Sequence, residues 1–260
     1  MRLAIVQTDP VFGDVKRNVD RAVSLMDSVT ADLHVLPELF NTGYNFVDGQ
    51  EVSRLAEPVS GFTYQAIAGF AEKKSCYVVY GFSEKDSRVY NSAALVGPSG
   101  FIGLYRKIHL YDRENLFFEK GQLGFPVFDL PFGKVGIMVC FDWIYPEGAR
   151  TLALKGAQLI AHPSNLVLPH CPDAMVTRCL ENRVFAATAN RVGRENRGGV
   201  DLTYIGKSEV VSPRGEILRR LGDGREEVAV VEVDLSMAED KRINLYNDLL
   251  PDRRPQYYVS

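Results

Sequence analysis

Apolar residues follow two rhythms along this chain. Short runs rich in Val, Ile, Leu and Ala predict strands over 3–8, 33–37, 77–82, 91–97, 101–106, 136–139, 159–162, 185–190, 208–212, 216–220 and 228–233. Between them the spacing lengthens to the helical period, predicting helices over 15–28, 63–74, 146–155, 173–182 and 236–245. In the first helix Val15, Val19, Ala22, Val23 and Met26 share one face. In the third, Pro146 sits where a first-turn proline is tolerated and Gly156 where a helix stops. Strands alternating with helices predict an α/β fold.

A weak internal repeat refines this. Residues 31–37, ADLHVLP, echo 157–163, AQLIAHP, and 96–102, VGPSGFI, echo 211–217, VSPRGEI. Each Pro-x-Gly is a turn signal between two strand runs, so each predicts a hairpin. The shared order implies two similar halves. Two sheets, each burying one face against the other with helices outside, give a four-layer αββα sandwich. The expectation is a single domain over 1–260 with two pseudo-repeated halves.

Composition narrows the classes of partner. The 260 residues are 46% hydrophobic and 24% charged, with a formal charge of −3 and no long basic run. Nucleic acid and anionic membrane surfaces are therefore not expected partners. The apolar runs fall far short of the roughly 18 residues of a membrane span. The opening MRLAIVQTDP has no signal-peptide pattern and reads as a first strand. Cys76, Cys140, Cys171 and Cys179 form no C-x-x-C pair, which predicts free thiols in a reducing, cytoplasmic setting.

Three polar residues stand where strand runs end: Glu38 after LHVLP, Lys107 after FIGLYR and Cys140 after VGIMV. Sites in open α/β sheets form beyond the carboxyl ends of strands, so these three can meet. A cysteine attacks as thiolate and needs a base or a cation. Histidine is the usual base. His34 lies inside a strand run, His109 is one residue off the face of Lys107, and His162 and His170 flank a loop; none has a local dyad signature. The alternative is a carboxylate and an ammonium. Glu38 would take the thiol proton, while Lys107 and the N–H of Phe141 would stabilise thiolate and oxyanion. That chemistry suits a carbon joined to nitrogen: the thiolate attacks, the nitrogen leaves with the proton, and water cleaves the thioester.

PELF at 37–40, RKIHLYD at 106–112 and CFDWIYPE at 140–147 resemble, in that order, the motifs of the nitrilase superfamily of carbon–nitrogen hydrolases. The resemblance runs from AIVQTDP at 4–10 to DRRPQYY at 252–258. It is strongest toward small archaeal-type aliphatic nitrilases and amidases of short ω-amides and carbamoyl compounds. It implies the four-layer sandwich, Glu38 as general base, Lys107 as charge stabiliser and Cys140 as nucleophile. It also implies a second glutamate, which Glu114 matches better than Glu119, and a homodimer or larger homo-oligomer built through helix faces. The C-terminal DRRPQYY would lie across a neighbouring subunit or its own body.

Around this set, Tyr44, Phe141, Trp143 and Asn165 are expected at the substrate. Asp142 and Glu147 are read as capping residues, Cys76 as core, and Cys171 and Cys179 as structural. The spacing of His162, His170 and Cys171 fits no usual zinc site, so neither metal nor cofactor is expected. RENRGG at 194–199 reads as a solvated loop, since no G-K-[ST] makes it a phosphate loop. The rival to an enzyme is a family-like binding module; whether an amide or a nitrile is the substrate stays open.

Overall fold

The structure, a computed structural model, describes residues 1–258. The first half runs β1 (Arg2–Gln7), α1 (Val15–Asp27), β2 (Leu33–Val35), α2 (Gly49–Leu55), α3 (Phe62–Lys74), β3 (Tyr77–Lys85), β4 (Val89–Gly97), β5 (Gly100–Arg106) and α4 (Glu114–Phe117). The second runs β6 (Val127–Leu130), β7 (Gly133–Ile137), a 3-10 turn Cys140–Ile144, α5 (Pro146–Leu154), β8 (Leu159–Pro163), α6 (Cys171–Asn182) and β9 (Phe185–Ala189). It continues with β10 (Arg194–Arg197), β11 (Val200–Thr203), β12 (Glu209–Val211), β13 (Ile217–Arg220) and β14 (Glu227–Glu232).

Two six-stranded sheets share one topology. One has the order β14-β1-β2-β3-β4-β5 and the other β6-β7-β8-β9-β12-β13. In each, three central strands are parallel and the flanking pairs antiparallel. Both predicted hairpins form, and each carries a register shift at the same repeat position, Leu95/Val96 and Val210/Val211. One strand also crosses between the halves: β14, last in the chain, completes the first sheet, while β6 closes the second sheet as a hairpin with β7.

The pleat sorts residues by face. Leu3, Ile5, Leu33, Val35, Val79, Ala93 and Leu95 point toward the second sheet and join its core. Val6, Val78, Tyr80, Ala94 and Val96 point outward to Val19, Ala22 and Met26 of α1 and Ile67, Phe70 and Ala71 of α3. Helices α5 and α6 cover the second sheet, with Leu152, Met175 and Cys179 buried. The four-layer αββα sandwich is therefore present.

Three expectations need correction. No helix spans 236–245; a 3-10 turn covers Leu235–Ala238 and the rest is irregular. Short polar side chains take the backbone donors there: Asp234 accepts from Ser236 N–H, Asp240 from Arg242 N–H and Asn244 from Tyr246 N–H. Ile243, Leu245 and Tyr246 stay exposed, so the apolar spacing finds no core. The loop expected at 194–199 is instead the first strand and turn of a hairpin, β10–β11. Gly198 and Gly199, with φ of 56° and 76°, supply its two-residue turn. Thirdly, α2, α4 and β6 escaped the periodicity; α4 has four residues and β6 four, too few to show a period.

Candidate active site

Glu38 lies three residues beyond β2 in a crowded bend. Leu36 N–H and Phe40 N–H donate to Val79 O and Gly81 O of the neighbouring β3. A Cβ at Gly81 would stand 2.5 Å from the Glu38 Cα, so only glycine lets the two backbones approach. Lys107 follows β5, tied by its N–H to Asn91 O on β4 at 2.8 Å. Glu114 opens α4. The β7 ladder ends at Ile137, and Met138 and Val139 carry the chain on to Cys140. Cys140 has a left-handed φ of 44°, a strained conformation for a residue with a Cβ. Asp142 holds the turn, accepting from Val139 N–H at 2.8 Å and Tyr105 OH at 2.6 Å. His162 Nε2 donates to Cys140 O at 2.9 Å.

The structure brings Glu38, Lys107 and Glu114 together. Lys107 Nζ, fully buried, donates to Glu38 Oε1 at 2.7 Å and to Glu114 Oε1 at 2.8 Å. Asn91 Nδ2 donates to Glu38 Oε1 at 2.7 Å and reaches Glu114 Oε2 at 3.4 Å. Tyr44 OH donates to Glu114 Oε1. Glu38 Oε2 is buried and has no partner among the described residues. Burial disfavours the Lys107 ammonium, but Glu114 and Glu38 outweigh it and hold its pKa well above the usual lysine value. Glu114 is pushed up to about 7 by burial, with Glu38 adding to the rise and Lys107 opposing it.

Cys140 joins this cluster electrostatically. Burial first, then the charges of Glu38 and Glu114, raise its thiol well above the ordinary value, while Lys107 and a backbone hydrogen bond from Asn165 pull it down. Lys107 alone therefore does not make a resting thiolate, and the thiol needs a base at the moment of attack.

Two adjoining cavities of about 30 and 20 Å³ share Tyr111, Asn165 and Val167; the smaller reaches Cys140, Phe141 and Trp143, the larger Tyr44 and Glu114. Tyr44, Phe141, Trp143 and Asn165 thus all line them. Tyr44 does more than wall the cavity, since its hydroxyl is bound to Glu114. The N–H of Phe141 lies in the first turn of a 3-10 segment, where opening donors lack an intrahelical acceptor. Glu119 is exposed and outside the cluster. Glu147 is exposed in the first turn of α5.

The histidines are engaged elsewhere. His34 packs edge-on against Phe70, His109 stacks on Tyr145 with Nδ1 on Asp142, His170 is exposed, and both nitrogens of His162 are occupied. Sequence reasoning missed Asn91, which ties the two glutamates, and Glu195. The Glu195 carboxylate accepts from Tyr44 N–H, Asn45 N–H and Tyr204 OH, and pairs with Arg191. Asn91 sits in an apolar run and gave no signal; Glu195 lay in the stretch read as loop.

Residues 2–243 match the carbon-nitrogen hydrolase family. A nitrilase of Pyrococcus abyssi is 51% identical over 263 residues, covering 99% of each chain. Among solved structures, a carbon-nitrogen hydrolase from Helicobacter pylori G27 superposes with a TM-score of 0.91 at 27% identity, covering 99% of this chain and 96% of that one. A mutant amidase from Nesterenkonia sp. AN1, at TM-score 0.81 and 26% identity over 98% of this chain and 94% of its own, shows covalent addition of the acetamide moiety of fluoroacetamide at its active site cysteine. The chain belongs to the carbon-nitrogen hydrolase family.

Proposed function

We propose that this enzyme hydrolyses the carbon–nitrogen bond of a small linear amide or nitrile through a covalent adduct on Cys140, releasing ammonia. One observation carries the roles: Glu38 presents a buried, unpartnered Oε2 while Lys107 and Asn91 hold its other oxygen. That free oxygen takes the Cys140 proton as Sγ bonds to the substrate carbon. Lys107 Nζ and the N–H of Phe141 stabilise the negative charge that develops on the carbonyl oxygen, or on the nitrile nitrogen. Glu38 passes the proton to the leaving nitrogen, and ammonia departs from an amide to leave a thioester. A nitrile gives a thioimidate, which first adds water and loses ammonia to reach the same thioester. Water, deprotonated by Glu38, then attacks the thioester carbon; the acid leaves and the thiol recovers its proton. Glu114 orients Lys107.

Replacing Cys140 with Ala tests this: ammonia release from every amide and nitrile in a panel of short dinitriles and amides should vanish, and retained turnover would defeat the reading. A non-catalytic module would show no mass shift on Cys140 with a thiol-selective electrophile that substrate quenches.

A single domain spanning the chain is supported by β14 of the second half completing the sheet of the first. A homodimer through α5, α6 and the tail is supported by exposed Leu154, Leu180, Tyr257 and Tyr258, with Arg150 of α5 near Arg253 and Tyr258. Light scattering showing only monomer would refute it. Four free cysteines, one of them the proposed nucleophile, support a reducing, cytoplasmic setting; a disulfide found in protein isolated from its native cells would count against it.

A further inference from the structure

Glu38, Lys107 and Glu114 hold one another, but Cys140 follows β7 and so comes to them from the other sheet. The hydrogen bonds around Asp142 show what sets the place of its turn. This carboxylate is fully buried and accepts from four donors. Its Oδ2 accepts from Val139 N–H at 2.8 Å and Tyr105 OH at 2.6 Å. Its Oδ1 accepts from His109 N–H at 3.3 Å and His109 Nδ1 at 2.7 Å. Tyr105 OH in turn accepts from Ile108 N–H at 3.1 Å. Asp142 N–H closes the turn on Val139 O, also at 3.1 Å.

Capping explains only part of this, because a cap needs the Val139 N–H alone. The other bonds run to β5 and to Ile108 and His109, the two residues that follow Lys107. Residues on either side of Cys140 are thereby joined to residues on either side of Lys107. The linking rings are themselves packed flat: Tyr105 on Phe125 with centroids 5.5 Å apart, and His109 on Tyr145 at 3.8 Å. Burial and the charge of Asp142 hold the Tyr105 phenol well above its usual value, so it stays a donor. The left-handed φ of 44° at Cys140 needs such support, since a strained residue persists only where its surroundings over-determine it.

We infer that Asp142 is a positioning residue: with Tyr105 and His109 it forms a carboxylate bridge that fixes the Cys140 turn against the end of the strand leading to Lys107. This rests on the carbon–nitrogen hydrolase reading and deepens it. None of the three side chains lines the cavities, so the bridge acts on the bond-forming step and leaves substrate binding alone.

The test measures kcat, KM and the urea midpoint with an amide that wild type turns over. Asp142→Asn keeps the shape but turns one acceptor oxygen into a donor that faces other donors. It should lower kcat by about 100-fold, the size of a misplacement of about 1 Å, while KM stays near that of wild type. Tyr105→Phe keeps the ring and should lower kcat by about 10-fold. His109→Asn sets an amide N–H where Nδ1 stood, and its kcat should exceed that of His109→Leu by about 10-fold. Both lack the stack on Tyr145, so the difference reads the hydrogen bond. A lowered urea midpoint with wild-type kcat in the folded enzyme would reduce Asp142 to a cap and overturn the bridge. So would a loss carried by KM, or equal kcat in the two His109 variants. Should Asp142→Asn fail to fold, Tyr105→Phe and the His109 pair decide alone. These outcomes sink only the bridge; a wild type that releases no ammonia from any amide or nitrile, and whose Cys140 takes no electrophile, sinks the hydrolase reading and the bridge with it.

Discussion

Tyr44→Phe removes one hydroxyl from the site and leaves a ring of the same shape, so the edge-on contact with Tyr204, at 6.3 Å between centroids, is kept. What is lost is the donor to Glu114 Oε1. Burial, then the charge of Glu38, push Glu114 up to about 7, while Lys107 and the Tyr44 hydroxyl restrain the rise. The Tyr44 phenol is itself held well above its usual value by burial and by Glu114 and Glu38, so it remains a donor across the assay range. A hydrogen bond to a charged group is worth about 1.5–3 kcal/mol, which at 1.36 kcal/mol per unit moves Glu114 a further ~1–2 units upward. Only ionised Glu114 holds Lys107, so the acid limb of kcat/KM, shared by the cluster, moves to higher pH by that amount. Near neutral pH the variant should lose about 10-fold or more, with recovery as the pH rises. Ammonia release measured against pH gives the profile, and in a Glu114→Gln background, neutral at every pH, adding Tyr44→Phe should move the limb no further. An unmoved limb, or a uniform loss at all pH values, would refute the role given to Tyr44.

Other outcomes follow from the same structure. His34 is held down to about 4 by burial. Below its ordinary value the unfolded chain binds the extra proton, so this residue withdraws stability as pH falls from about 6.5 to about 4. His34→Leu should therefore gain up to ~3 kcal/mol on wild type at the acid end, read from urea midpoints; parallel curves would contradict this. Glu195→Ala leaves the buried Arg191 guanidinium with only the half-exposed Asp9 at 3.6 Å, at a cost of up to about 3–5 kcal/mol in unfolding free energy, and it should lower kcat by loosening Tyr44; wild-type stability and kcat would show the network to be idle. Fragments 1–123 and 124–260, expressed separately, should each fail to fold and should release ammonia only when combined. Cooperative unfolding of either fragment alone would argue against interdependence of the halves.

Much of the fold was legible because long apolar strands and amphipathic helices carry their period in the residues. The face of α1 and the paired Pro-x-Gly hairpins were readable for that reason. The segment 236–245 misled because its period was real but had nothing to pack on, while aspartate and asparagine side chains took its backbone donors. RENRGG misled because its charges are all partnered: Arg194 binds Asp201 across the hairpin, Arg197 binds Glu51 of α2, and Glu195 turns inward. In the site, residues at strand ends could be guessed from position alone. Asn91 could not, since it stands near the start of β4 between Tyr90 and Ser92 with nothing to mark it, and its importance comes from which strand pairs beside it. Glu114 was preferred to Glu119 on the resemblance alone; the turn that opens α4 is what carries it to Lys107.

The crossing of β14 shows how the two halves are held together for the chemistry. In each sheet the parallel trio ends at the same rim, and the repeat puts Glu38 beyond β2 where Ser164, the neighbour of Asn165, stands beyond β8. The first half thus contributes base, ammonium and second carboxylate; the second contributes the thiol and the Asn165 backbone. Were the halves independent domains, the Glu38 and Cys140 rims would sit on a mobile interface, where small displacements would cost much of the rate. Because β14 is hydrogen-bonded along all of β1, the first sheet is closed by the last strand of the second half. The halves cannot part without breaking that ladder. The placing of the Glu38 rim against the Cys140 rim therefore depends on the hydrogen bonds of an edge strand far from the substrate, and a change that frays β14 should lower turnover before it lowers secondary structure.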